Sequence, residues 1–180
     1  MIKRALVFAV AVTLAACAPP PQEAEPQSVA EAPAAEAAPE PNPEAARLEG
    51  NLIPGYAWTY WEADGQKGAN FEDASNHPLV RIVCTTATRA IGVEYEFTHP
   101  YGRPTTISLI TATQTINIPA EGLEGPIDLV VGELAGADPS WVGLTRPQER
   151  FGIVVAAMPN VIGRMPWEAR IAETLAPCRA

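Results

Sequence analysis

Apolar and polar residues alternate with a period of two through the region from Leu79 to Phe97. Val80, Ile82 and Cys84 fall on one face and Arg81 and Thr85 on the other. After Ala87-Thr88-Arg89, Ile91, Val93, Tyr95 and Phe97 alternate with Gly92, Glu94, Glu96 and Thr98. Two such runs joined by a short polar turn predict an antiparallel hairpin with one buried face. Similar runs predict strands at 56–62, 105–111, 115–118, 128–134 and 151–158. Pro100-Tyr101-Gly102, the stretch 119–126 and Met158-Pro159-Asn160 punctuate them. The pattern predicts a mostly β domain, an antiparallel β-sandwich or small barrel of about seven strands.

Two segments carry a helical period instead. Asp138-Pro139-Ser140 is a helix entry, a capping acid followed by proline at the first position, and predicts a short helix near 139–144. In 166–176, Trp167, Ile171 and Leu175 recur every four residues as one apolar stripe, and Glu168 and Arg179 suit the two ends of the dipole. This C-terminal helix is expected across the open face or end of the sheet, with Cys178 just beyond it.

Ahead of the domain the pattern disappears. Lys3 and Arg4 precede an uncharged stretch, 5–16, laid out like a secretory signal peptide and shorter than the roughly 20 apolar residues of a membrane span. Leu14-Ala15-Ala16-Cys17 resembles the lipobox of bacterial lipoproteins. That resemblance implies cleavage after residue 16 and acylation of Cys17, and several acyl chains hold a protein on a membrane essentially permanently. Ala18, where such proteins carry Asp when kept in the inner membrane, implies the outer membrane, facing the periplasm. Residues 18–49 hold ten Ala, eight Pro and seven Glu, with Val29 and Leu48 the only larger aliphatics. Such a segment buries too little apolar surface to offset its chain entropy. The expected layout is a signal peptide at 1–16, a lipidated and disordered tether at 17–49, and one globular domain at 50–180.

Charge narrows the partners. From Gly50 onward there are 14 acidic and nine basic residues, and Lys67 is the only lysine after Lys3. Phosphate recognition needs clustered Lys and Arg, so nucleic acid is not an expected partner. The expected contacts are a membrane, through the lipid, and an envelope protein.

Among reactive side chains, Cys84 and Cys178 remain once Cys17 is lipidated, and an even pair in an oxidising compartment predicts a disulfide. Neither cysteine has the CxxC neighbour of a redox site. His77 and His99 both precede proline; with Asp73, Glu94 or Glu96 they could hold zinc or copper, but no HxH, HxxxH or HExxH spacing favours it over solvated loop histidines. Glu94 and Glu96 share a strand face, as a glycosidase pair could and as any half-exposed strand does. The hydroxyl-rich run from Thr105 to Thr115 is what strand propensity alone produces. Tyr56, Trp58 and Tyr60 share a face that reads as core, which leaves Trp61 on the opposite face as a surface patch. No catalytic residue, metal or cofactor is expected.

The C-terminal half, Ala137-Asp138-Pro139-Ser140-Trp141 with Leu144, Arg150-Phe151, Pro166-Trp167-Glu168 with Arg170, Ile171 and Glu173, and Cys178-Arg179, resembles a family of small uncharacterised bacterial envelope proteins. The resemblance implies a β-rich fold with a terminal helix and disulfide, and it supplies no known activity to carry over. The function expected from the sequence is a non-catalytic binding or interaction module held on the envelope. The alternatives are an inhibitor of an envelope-directed hydrolase such as lysozyme, for which an acidic domain is suited, and an uncharacterised envelope enzyme.

Overall fold

Alternation becomes pairing in the computed structural model, which describes residues 41–97 and 102–180. Nine strands form: β1 (Tyr56–Ala63), β2 (Gln66–Asp73), β3 (Pro78–Thr85), β4 (Ala90–Glu96), β5 (Pro104–Ile110), β6 (Thr115–Leu123), β7 (Leu129–Ala135), β8 (Arg150–Val155) and β9 (Gly163–Pro166). All pairings are antiparallel within a single sheet of order β1-β2-β3-β4-β7-β6-β5-β8-β9. The sheet curls into a half-barrel in place of two stacked sheets or a closed ring. Trp58 on β1 stacks on Phe151 of β8 with centroids 6.0 Å apart, which brings distant strands of the sheet face to face across the interior.

The predicted hairpin is β3–β4, with Ile82 opposite Val93 and Cys84 opposite Ile91, all four buried. The two strands beyond the expected seven are β2 and β9. β2 reads Gln-Lys-Gly-Ala-Asn-Phe-Glu-Asp, and only Gly68, Ala69 and Phe71 of it are buried. It is a strand because the Asp64-Gly65 turn returns the chain onto β1: both residues have positive φ, 50° and 74°, the geometry of a two-residue type I′ hairpin. β9 is four residues long, below what alternation resolves. β6 runs through Pro119, which pairs with Thr106, so that proline does not end the strand as expected.

Inside the curl, one cluster joins Phe71, Ile82, Ile107, Ile118, Phe151 and Trp141, each essentially inaccessible to water. A 3-10 turn at Pro139–Trp141 continues into α1 (Val142–Thr145), as predicted near 139–144. Asp138 caps it by accepting from the Ser140 N–H at 2.9 Å. That bond and the Ser140 hydroxyl hold the Asp138 carboxyl below its ordinary pKa. Asp138→Ala is expected to cost about 1 kcal/mol, as lost caps do. Because the folded pKa is depressed, the capping contribution is complete above the ordinary carboxylate range and fades as pH falls through the folded value. Urea midpoints of parent and variant should therefore differ at pH 7 and converge in acid.

The terminal helix α2 spans Ala169–Arg179, shifted toward the C-terminus from the expected 166–176. Pro166 ends β9, and Pro177 is accommodated in the last turn, where its missing N–H costs one helical bond. Cys178 is consequently inside the helix instead of past it. Trp167 precedes the helix and donates its indole N–H to Leu144 O at 2.7 Å. Ile171, Leu175 and Cys178 face the sheet interior.

A second, smaller cluster lies on the other side of β8, where Val154 and Ile110 are covered by Leu48 and Ile162. Leu48 ends a 3-10 turn, Pro43–Leu48, capped by Asn42. Residues 42–49, placed in the tether by their composition, thus belong to the folded unit. Leu48 supplies apolar burial, and the Asn42 amide donates to Thr111 O at 2.9 Å and Thr115 Oγ1 at 3.1 Å. No helix among the described residues is long and apolar enough to cross a membrane.

Candidate binding surface

β1 is an edge strand with contrasting faces. Its inward residue Trp58 is buried and donates its indole N–H to Pro166 O at 2.8 Å, while Tyr56 stacks on Phe71. These residues are core, as expected. Trp61 lies on the outer face, as expected, and is half-buried because its indole lies flat over Gly68, its cross-strand partner, with Nε1–H donating to Asn70 Oδ1 at 3.0 Å.

Trp61 borders two concavities. One, of about 240 Å³, is a trough on the outer face of β2, β3, β4 and β7, with Val83, Gly92 and Val131 as floor and Arg81, Glu94 and Glu133 as rim. Arg81 and Glu94 pair at 3.4 Å across the strands, an exposed contact of little energetic weight. The other, of about 350 Å³, lies between β1 and α2, with Tyr60, Glu62, Lys67, Arg170 and Glu173 around it. There the Tyr60 hydroxyl donates to Glu168 Oε2 at 2.9 Å and the Arg170 guanidinium sits 4.3 Å above the phenol ring. Burial and the bonded Glu168 push the Tyr60 pKa well above its ordinary value, so the phenol stays protonated and acts as a donor. Lys67 is engaged with Glu62 at 3.1 Å. Trp61 thus links an uncharged floor to a charged cleft, suited to holding a polypeptide with both apolar and ionic side chains.

The sequence pointed to Trp61 but not to its setting. Gly68 lies on the unrecognised β2, and Arg170 and Glu173 arrive from α2, more than a hundred residues away. A β-carbon at Gly68 would come within 2.2–2.4 Å of three indole atoms, far inside contact distance. Gly68→Ala is expected to lift Trp61 into water and cost about 1–3 kcal/mol, as overpacking does. Its emission should shift red, and the shift should vanish in the Gly68→Ala, Trp61→Phe double variant.

The other candidates separate. Cys84 and Cys178 are disulfide-bonded with Cα atoms 5.8 Å apart, and both are buried. Cys17 and the lipobox-like residues before it lie outside the described residues, as does His99. His77 Nε2 contacts Glu96 Oε2 at 2.9 Å. Glu94 instead turns to Arg81, so the two glutamates of that face serve different partners. Asp73 accepts from the Ser75 and His77 N–H groups at 2.8 and 3.0 Å, which lowers its pKa and closes the loop after β2. Among the described residues no three His, Cys, Asp or Glu side chains converge on a metal position. The hydroxyl-rich run is bonded locally: Thr111 donates to Gln114 O and Ser108 to Asn117.

No known protein-family model, curated protein or solved structure is significantly similar to the chain.

Proposed function

We propose that the chain is a lipid-anchored protein of the bacterial envelope whose folded domain is a non-catalytic binding module contacting a partner protein through the surface around Trp61. The observation that carries the reading is Trp61 itself, a partly exposed indole held flat by Gly68 and Asn70 between an apolar-floored trough and a charged cleft. Preordered aromatic side chains of this kind lose little freedom on binding and dominate many interfaces. The reactive side chains nearby support the same reading, since Tyr60, Lys67, Arg81 and Glu94 are each engaged with a neighbour. The lipobox at Cys17 and the Ala-, Pro- and Glu-rich segment behind it support the anchor and a membrane-held location facing the periplasm.

Photocrosslinking in the native envelope tests the reading. A benzophenone amino acid at Gln66 or Glu133, both bordering the trough, should yield one recurrent adduct identifiable by mass spectrometry. The same probe at Met158, 49% exposed on the β8–β9 loop, serves as control. Equal labelling from all three positions, or none, overturns the assignment of this surface.

A further inference from the structure

The two edges of the sheet are treated differently. β9 is four residues long, and its Arg164 O already accepts from Ile53 N at 2.9 Å. β1 is eight residues long and pairs only with β2. Its register with β2 is unbroken from Tyr56 opposite Asp73 to Ala63 opposite Gln66. In a two-residue hairpin the residues flanking the turn form a hydrogen-bonded pair. Ala63, Trp61, Thr59 and Ala57 therefore bond to β2, and the N–H and C=O groups of Tyr56, Trp58, Tyr60 and Glu62 point away from the sheet. Among the described residues no backbone group pairs with them. Native sheets blunt long edges with lysine, proline or a bulge. β1 has none of these, and Glu62, its one charged residue, is engaged by Lys67.

We infer that the β1 edge is a homodimer contact, in which β1 of a second copy pairs antiparallel about a two-fold axis at Thr59. This register uses every outward-facing residue: Trp58 pairs with Tyr60 of the other copy and Tyr56 with Glu62, giving about eight ladder hydrogen bonds. An isologous contact must be self-complementary, and this one is. No like charges oppose each other, the Thr59 pair meets at the axis with two exposed β-branched side chains, and each Trp61 lies beside the small Ala57 of the other copy. The sheet would continue through both copies, with the two outer troughs side by side on one surface. The inference goes beyond the binding-module reading and does not depend on it.

Because non-hydrogen-bonded partners in such a ladder have Cα atoms roughly 4.5 Å apart, within disulfide reach, Thr59→Cys is the direct probe. Full-length Thr59→Cys protein in its own envelope, treated with a mild oxidant, should run as a reducible dimer on a non-reducing gel. Glu121→Cys, exposed on β6 away from the edge, should stay monomeric. Thr59→Lys places two ammonium groups at the axis. In sedimentation of the detergent-solubilised full chain it should raise the dimer dissociation constant at least tenfold. A monomeric parent protein at 100 µM (roughly the ceiling for a useful affinity) with no Thr59→Cys dimer overturns the inference. A Thr59→Cys adduct of another mass overturns it too, by showing that a different protein's strand occupies the edge.

Discussion

Replacing Cys84 and Cys178 together with alanine is expected to lower the free energy of unfolding by about 4–5 kcal/mol. The bond closes a span of 94 residues, and on the chain-entropy account a loop of that size lies near the upper end of what one cross-link contributes. For a domain of this length the loss corresponds to roughly 10–20 °C in Tm. The native state also holds the two cysteines in place, since Cys84 belongs to a central strand of the sheet and Cys178 to the helix that covers it. Guanidinium unfolding of the oxidised protein and the double variant gives the difference directly. A loss below about 1 kcal/mol would mean that the core alone holds α2 on the sheet. In the native oxidised protein, alkylating reagents should label neither thiol.

Trp141→Ala is expected to cost about 3–5 kcal/mol, the range for large aromatic truncations in a core. Trp141 is completely buried, and its indole N–H donates to Ala135 O at 3.1 Å. Its removal opens a cavity between the helical segment and the sheet and takes one of two donors from that carbonyl, which keeps the Asp138 N–H at 3.0 Å. Trp141→Phe keeps most of the volume and loses the hydrogen bond, so it should cost less than half as much. Equal losses for the two variants would assign the stability to the hydrogen bond instead of packing.

Strands with clean alternation were legible at the level of residues. β3 and β4 fall within one residue of their predicted limits because inward-facing Val80, Ile82, Cys84, Ile91 and Val93 alternate with an outer face that carries Arg81, Glu94 and Glu96. The entry at Asp138-Pro139 was equally clear, because cap chemistry is local. β2 was not, since it owes its place to the Asp64-Gly65 turn and to two neighbours, and only Ala69 and Phe71 mark its inner face. Curvature was illegible for a related reason: whether a sheet stacks, closes or curls depends on which strands meet across the interior, as Trp58 and Phe151 do from 93 positions apart. Composition misled at residues 42–49, where a single leucine and an asparagine outweigh the surrounding Pro, Glu and Ala. The facing of Trp61 followed from strand parity. Its companions did not, because they come from β2, β3, β4, β7 and α2.

The attachment of Asn42 determines how the domain would meet a mechanical load. Tension on the N-terminal segment enters the fold at Asn42, whose amide is fastened to Thr111 O and Thr115 Oγ1 at the β5–β6 turn. Leu48 is seated six residues further on. The first parts to yield would be that side-chain clamp and the small cluster over β8, which cover the back of the sheet. The main core and its disulfide lie on the other side of β8, so the 42–49 segment can peel away as a fuse before force reaches the strands that carry Trp61.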